Sequence, residues 1–492
     1  MKMIYGIKDR PSAGKLIVFA FQQMIAIMAA TLLVPLLVSQ AGIDLDPAAA
    51  LFGAGIGTIV YIICTKGRSP VFLGSSFTFI GAMMAAVGQK YGYWGLIIGV
   101  GFAGLVYVII AVVIKFVGTN WLNKLLPAVI IGPIVACIGL SLSGTATQWM
   151  MYNSADTAAP YNLIAILCGL VTFFVIVLTS VKGGKMLKLI PFIIGIGAGY
   201  LLALVFTLIG RAAGVSYLQV LDFQPFIDTF GDLRFQSFLD YPKFTFLMGI
   251  ETAGDYAPID GAMIGNLAIL FAPIGVVELA QHIAHHKNLG NIIEQDLIKD
   301  PGLTRTLLGD GIGSIVGAVF GACANTAYGE SVGCVAITKN ASVITLFVAA
   351  IGCMVLSFFS PFVAVINSIP KCVMGGACVA LYGFIAVSGL QMLKEVDLGD
   401  NRNLYVVSAI LVCGIGGFAL NFGPRSSGED VSYLISITSI AAALIVGIIT
   451  NLIVHIGKDK DGEDALSASA ENLAETEVNF SEETPEENGK EE

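Results

Sequence analysis

The sequence predicts an all-α polytopic membrane protein with fourteen transmembrane segments in a seven-plus-seven inverted repeat, segments 3 and 10 being broken by short antiparallel strands. Three observations lead there. The 492 residues are 56% hydrophobic and 12% charged, with a mean hydropathy of +0.83, which excludes a soluble globule with a polar surface. Fourteen apolar stretches begin near residues 15, 48, 70, 92, 127, 161, 188, 266, 306, 324, 341, 370, 403 and 431. Most approach the roughly 20 residues that cross about 30 Å of hydrocarbon as a helix; those at 70 and 324 are the weakest as plain spans. Finally, three pairs of segments recur in order: FQQMIA (21–26) with AQHIAH (280–285), LGSSFTFIG (73–81) with ANTAYGESVG (324–333), and LLPAVIIGPIVACIGLSLS (125–143) with SIPKCVMGGACVALYGFIAVSG (368–389). Their offsets of 259, about 251 and 243 indicate one duplication, and seven spans per copy give the copies opposite topology.

Along the chain, the head MKMIYGIKDRPSAGK is basic and polar and leads straight into a full-length span, so it reads as a retained terminus and not a cleaved signal. Basic residues fall in alternate loops: Lys8, Arg10 and Lys15 before span 1, Lys66 and Arg68 after span 2, Lys115 and Lys124 after span 4, Lys182, Lys185 and Lys188 after span 6. The series continues with Lys287, Lys299 and Arg305 after span 8, Lys339 after span 10, and Lys394 and Arg402 after span 12. This bias predicts cytoplasmic N- and C-termini in a cell (plasma) membrane protein; Lys90, Lys371 and Arg425 are exceptions. The segment 211–265 carries seven acidic residues and is expected outside. Residues 457–492 hold 13 Asp and Glu against 3 Lys, so the net charge of −9 belongs to this tail, whose composition predicts disorder. The nine Cys form no CxxC pair, lie in or beside spans, and read as small core residues.

Two polar runs stand out. VFLGSS and CANTAY mix β-branched, aromatic, Gly and Asn residues that resist helix, and each then turns into an apolar helical run. We expect an extended half and a half-helix in each. Backbone unpaired at mid-membrane is tolerated only when buried in protein or lining a cavity, and the half-helix N-termini would offer free N–H groups to carbonyl oxygens or anions. The pattern points to a site for a small polar solute.

Glu330 is the first candidate ligand, because a carboxylate at a helix centre costs roughly 2.5–3.5 kcal/mol on insertion scales and is usually kept for function. A carboxylate capping its own half-helix is the competing reading. In span 8, Glu278, Gln281, His282 and His285 share one helical face, a stripe unsuited to lipid; His286 with Lys287 is expected to mark the cytoplasmic end. HEXXH is absent and no Cys is in register, so no metal is expected. Phe77 and Tyr328 occupy the aromatic position of each polar run, where a flat heterocycle could stack, and Ser76 sits in the same run. Tyr382 needs a partner for its hydroxyl in an apolar span, with Glu330 and His285 as candidates. Gln22 and Gln23 are the repeat-mates of Gln281 and His282, and one of them is expected at the cavity. The glycine patterns GVGFAG, FGAGIG and GDGIGSIVG read as close helix packing and not as nucleotide loops.

Taken together, Glu330-Ser331-Val332-Gly333, four residues, then Thr338-Lys339 resembles the signature of the nucleobase-ascorbate transporters, also called the nucleobase-cation symporter-2 family. NTAYGES, QHIAH, FLGSSF and KDPGLTRTLLGDGIGS resemble more narrowly its bacterial uracil and uracil-xanthine permeases, and the likeness runs from about 10 to 456. The resemblance implies a core domain of spans 1–4 and 8–11 (15–120 and 266–366) and a gate domain of spans 5–7 and 12–14 (121–210 and 367–456). Around them lie a cytoplasmic N-terminus (1–14), the extracellular loop (211–265) and the tail (457–492). It implies a ring near Phe77, contacted at the positions of Gln281 and Glu330 with backbone help at Phe77 and Gly329, supported by His285 and Tyr382. It also implies proton coupling, movement of core against gate, and a homodimer. Three positions depart from the family: Ser331 replaces the signature Asn, Gln22-Gln23 the usual Gln-His, and Gln281 the usual Glu of span 8. Gln cannot take up a proton, so coupling falls to Glu278, Glu330 or His285, to another cation, or is lost.

The expected function is therefore import of a nucleobase, uracil first, by proton symport. A xanthine or other purine carrier is the alternative, followed by an anion carrier of the same seven-plus-seven plan. No enzyme, no cofactor beyond the coupling ion H+, and no nucleic-acid partner is expected.

Overall fold

The computed structural model describes residues 3–118, 127–152, 161–184, 187–321, 323–427 and 430–456. The expectation for the acidic tail falls outside these, as do Lys124 and Lys185 of the charge-bias argument. In chain order the elements are α1 (Ala13–Val38), α2 (Pro47–Cys64), β1 (Leu73–Ser75), α3 (Ile80–Gly88), α4 (Gly92–Val117), α5 (Ala128–Ser141), α6 (Ser143–Tyr152), α7 (Leu163–Lys182) and α8 (Pro191–Ala213). There follow α9 (Gly261–Ile293), α10 (Leu303–Gly321), β2 (Asn325–Ala327), α11 (Gly329–Thr338), α12 (Val343–Leu356), α13 (Lys371–Met392), α14 (Asn401–Ile415), β3 (Leu420–Ser427), β4 (Asp430–Ile437) and α15 (Ser439–His455). Among the described residues, nine helices are long and apolar enough to cross a membrane, and the molecule is an all-α membrane protein in its bulk.

Short polar side chains start several of these helices. Asp46 accepts from the Ala48 amide with Pro47 at the first position, Asn162 from Ile164 and Ala165, Asp260 from Met263, and Thr438 from Ala441. Each satisfies a backbone donor that the helix itself leaves open. Pro35, Pro133 and Pro273 lie inside α1, α5 and α9, a placement membrane helices tolerate because neighbours re-satisfy the freed groups.

Packing divides the helices into two sets. α2 and α4 embrace α10, α9 lies on α4, and α12 packs on α1 and α2; separately, α5 packs on α13 and α14, α7 on α8 and α13, and α14 on α15. Glycine explains the first contact. A β-carbon on Gly53 would lie 2.6 Å from the Gly317 carbonyl oxygen, and one on Gly313 would lie 2.7 Å from that of Gly57. The two backbones thus approach reciprocally at a distance only glycine allows, which is the packing role expected for FGAGIG and GDGIGSIVG.

The segment 214–260 is a folded cap. Phe244 packs with Phe52, Phe320 and Phe358 at centroid separations of 4.9, 5.4 and 6.4 Å. Lys243 pairs with Asp44 at 2.9 Å, and the Trp94 indole donates to the Gly249 carbonyl.

One expectation is corrected at the C-terminal end. The fourteenth apolar stretch begins near 431, but residues 430–437 form β4, paired antiparallel with β3 from Leu420↔Ile437 to Ser427↔Asp430, and the helix starts only at Ser439. VSYLISIT is dense in β-branched and aromatic residues, which favour a strand as strongly as apolarity favours a span. The 15 residues of α14 and the 17 of α15 extend about 22 and 26 Å, each less than the hydrocarbon thickness.

Candidate functional site

Leu73, Gly74 and Ser75 of β1 pair antiparallel with Ala327, Thr326 and Asn325 of β2. The Ser76 amide continues the pairing to the Ala324 carbonyl (2.7 Å), and that of Tyr328 to the Phe72 carbonyl (3.1 Å). A two-stranded ribbon leaves both outer edges unpaired, a severe liability inside a membrane. Here one hydroxyl closes each edge. Thr58 of α2, whose hydroxyl hydrogen goes chiefly to the Ala54 carbonyl of its own helix at 2.8 Å, accepts from the Leu73 amide at 2.9 Å and reaches its carbonyl at 3.3 Å. Ser314 of α10 accepts from the Asn325 amide and donates to its carbonyl, at 2.8 and 2.7 Å. The Asn325 side chain donates to the Gly53 carbonyl at 3.0 Å, so it holds a strand and a helix together.

Tyr328 is also spent on the ribbon. Its ring lies where a β-carbon on Gly74 would be, 2.4 Å from the ring, and its hydroxyl donates to the Ser75 carbonyl at 2.6 Å. Gln23 is buried and donates to Ser331 Oγ at 2.5 Å, and Ser331 Oγ also accepts from the Phe72 amide at 3.1 Å. The residue at the signature Asn position thus joins α1, β1 and α11. Of the two glutamines, Gln23 is turned into this joint and Gln22 is half-buried.

From each strand the chain turns into a helix that points away from the crossing. Phe77 opens a 3-10 turn capped by Ser76, which accepts from the Thr78 amide, and α3 follows. α11 starts at Gly329; its first intrahelical bond runs from the Val332 amide to the Tyr328 carbonyl, and Tyr328 has no side-chain cap. The amides of Gly329, Glu330 and Ser331 therefore have no intrahelical acceptor. Gly329 and Glu330 are half-buried, and the Glu330 carboxylate meets its own backbone N–H.

α9 supplies the facing wall, and its stripe divides. Gln281 and His285, both half-buried, turn to the half-helices. Gln281 Nε2 donates to Thr78 Oγ1 at 3.2 Å, and His285 Nδ1 bonds the Ala327 carbonyl at 2.7 Å. Glu278 is only 1% exposed and accepts from the Ser76 hydroxyl at 3.3 Å. His282 turns away to α10, where Nδ1 meets Asp310 Oδ2 at 2.6 Å and Nε2 meets Thr306 Oγ1 at 3.1 Å. His286, expected at the helix end, is instead wholly buried: Nε2 meets the Tyr61 hydroxyl at 2.6 Å and its ring stacks on His282 at 4.1 Å. α9 simply continues to Ile293, carrying its end past that residue.

From the second helix set, Tyr382 of α13 meets Phe77 edge-on, with centroids 6.3 Å apart and planes at 74°. The expected bond from its hydroxyl to Glu330 or His285 is not made; the hydroxyl lies against the Cys378 thiol one turn back on its own helix. Phe77 thus meets Tyr382, Gln281 bonds Thr78 next to Phe77, and His285 lies beside Gly329 at the start of α11 with Glu330 following it, whereas Tyr328, Gln23, Ser76 and Glu278 are bonded into the surrounding frame. Sequence reasoning overlooked Thr78, which holds Gln281, and Asp310, which holds His282. Asp310 had a signal: it is the sole acidic residue of 303–321, and intramembrane carboxylates are rarely incidental. No group of three or more His, Cys, Asp or Glu among the described residues is placed to hold a metal.

Against known proteins, the model of the permease family termed Xan_ur_permease matches residues 14–422. The chain is 37% identical to a uracil permease of Bacillus caldolyticus, over 92% of this chain and 95% of the relative. It is 35% identical to that of Bacillus subtilis, over 94% and 98%, and 32% identical to that of Escherichia coli K12, over 91% and 93%. Among solved structures, the transmembrane domain of the cyanobacterial bicarbonate transporter BicA superposes with a TM-score of 0.56 at 13% identity, covering 90% of this chain and 98% of that one. The murine anion transporter Slc26a9 in its inward-facing state gives 0.57 at 11%, covering 91% and 69%. At such identities the likeness is one of fold.

Proposed function

The chain belongs to the Xan_ur_permease permease family, and from that premise we propose that it imports a nucleobase, uracil first, across the plasma membrane by proton symport. One observation carries the choice of cargo. The start of α11 carries the Gly329 and Ser331 amides, free of intrahelical acceptors, and the Glu330 carboxylate, while Gln281 bonds Thr78 next to Phe77 at the start of the other half-helix. A flat heterocycle with alternating carbonyls and ring N–H groups needs that set. Amides donate to carbonyls, Glu330 accepts a ring N–H, Gln281 can do either, and Phe77 offers an apolar face. The three relatives named above are uracil permeases, which favours the same cargo. Xanthine is the second reading, since Gln281 beside Glu330 fits a purine's imide edge as well. An anion is disfavoured by Glu330, whatever the fold shared with anion carriers.

The division of the packing into two sets supports alternating access. The set α1–α4 with α9–α12 is the core, and α5–α8 with α13–α15 the gate; the Phe77–Tyr382 edge contact lies between them. Fourteen segments in inverted halves, cytoplasmic termini and a homodimer complete the proposal. The halves are supported by the matched Thr58 and Ser314 latches and the reciprocal glycine contact of α2 and α10.

Uptake of labelled uracil and xanthine into vesicles holding the full chain, with and without an imposed pH gradient, tests this. Uracil accumulation that follows the proton gradient is expected. Accumulation indifferent to every gradient would sink symport, and xanthine carried in place of uracil would reverse the cargo.

A further inference from the structure

Gln281 stands where a proton carrier is expected and cannot be one, so the coupling proton needs another seat. The buried groups nearby narrow the choice. His282 has both ring nitrogens engaged, by Asp310 and Thr306; His285 gives Nδ1 to the Ala327 carbonyl and keeps Nε2 beside Gly329, on the side proposed for the cargo. Glu330 faces the cargo. Glu278 stands apart from the cargo contacts, 1% exposed, with Oε2 accepting from Ser76. The hydroxyls of Thr78 and Thr326 also face it, and the titratable groups around it are Asp310 of α10, Tyr107 of α4 and Tyr328 beside β2. No cationic side chain is among them. A buried carboxylate ringed by hydroxyls, with no cation to hold it ionised, is built to gain and lose a proton.

Thr78 touches both sides of the problem. It faces Glu278, and its Oγ1 accepts from Gln281 Nε2 at 3.2 Å. We propose that Glu278 carries the coupling proton and that Thr78 reports its load to Gln281, which turns its amide toward the cargo accordingly. The inference rests on the proton-symport reading. With Glu278 ionised, the Thr78 hydroxyl donates to it and its oxygen accepts from Gln281 Nε2, so Gln281 shows its carbonyl to the site. In loading, a hydronium in the open site gives up one proton, becoming water; the Ser76 hydroxyl relays it, and an O–H bond forms at Glu278, now neutral. That O–H donates to Thr78 Oγ1, whose hydrogen is freed to donate to Gln281 Oε1. The amide then turns its NH2 to the site and meets a cargo carbonyl. Proton and nucleobase each raise the other's affinity, as linkage requires. Release on the far side runs the steps backward.

The test uses full-length wild type, Glu278→Gln, Thr78→Val and Thr78→Ser in vesicles, with labelled uracil and, separately, xanthine. Three readings are taken: exchange at equal concentration and pH, accumulation under a pH gradient of about one unit, and alkalinisation of the medium on adding nucleobase. One proton per nucleobase gives about tenfold accumulation for one unit. Wild type and Thr78→Ser should reach it and alkalinise the medium. Glu278→Gln and Thr78→Val should exchange but neither accumulate nor alkalinise. Wild-type accumulation by Thr78→Val overturns the relay. The same from Glu278→Gln, or a wild type driven by sodium and not by protons, overturns the carrier. If Glu278→Gln fails to insert, Thr78→Val carries the decision. Coupling read with xanthine decides it even where uracil is not the cargo, so a wrong cargo is told apart from a wrong carrier.

Discussion

Ser314→Ala should loosen the ribbon at the centre of the molecule. Ser314 Oγ holds both the amide and the carbonyl of Asn325, at 2.8 and 2.7 Å, in a fully packed setting. Alanine leaves two buried backbone groups open. Each such group costs about 1–3 kcal/mol, so the loss is about 2–6 kcal/mol, a large share of the 5–15 kcal/mol by which proteins typically stay folded. The lower end is the better expectation in a membrane, where the unfolded reference also finds partners. Thermal unfolding of purified protein in detergent, followed by size-exclusion, reads the effect. Thr58→Ala should cost less, since the Thr58 hydrogen is given chiefly to the Ala54 carbonyl and only the Leu73 amide bond is fully lost to the other edge. Ser314→Thr keeps the hydroxyl and should melt near wild type. Ser314→Ala melting with wild type would refute the view that these two hydroxyls are what make an open strand tolerable at that depth.

Other perturbations reach the remaining parts of the site. Glu330→Gln should abolish uracil uptake while leaving the protein folded; unchanged uptake would remove Glu330 from the contact set. His282→Ala removes the imidazole partner of Asp310 Oδ2 in a fully buried place, and a buried polar group left open costs about 1–3 kcal/mol, so the melting temperature and folded yield should fall; Asp310→Asn, which keeps a neutral acceptor for the ring, should lose less. Gly313→Ala sets a methyl 2.7 Å from the Gly57 carbonyl oxygen, and the forced separation of α2 from α10 should lower the melting temperature, with Gly313→Ser no better.

Hydropathy alone made the polytopic helical character legible, and the spacing of glycines in 53–57 and 309–317 announced the close helix pair. The wall of the site was half legible. Helical periodicity puts Glu278, Gln281, His282 and His285 on one arc, but an arc about 100° wide touches more than one neighbour. Which residue faces α10, which faces β1 and which faces the open space depends on partners far off in sequence, such as Thr306 and Ser76. Tyr328 shows the same limit. Its place in a polar run suggested a ligand, whereas a missing β-carbon at Gly74, more than 250 residues away, made room for its ring. The hairpin 420–437 escaped because a span and a strand of similar apolarity look alike in a short window.

The ribbon also sets the order in which the protein can be made. Gly74 pairs with Thr326, so β1 enters the bilayer about 250 residues before its partner exists. At about 5–20 residues per second of synthesis, its inner edge waits roughly 13–50 s with bare amides and carbonyls, held on the outer edge by Thr58 alone. A nascent chain stalled between these points is the form in which a membrane chaperone or a protease would meet it, and truncations ending before residue 325 should be cleared from the cell however intact their helices.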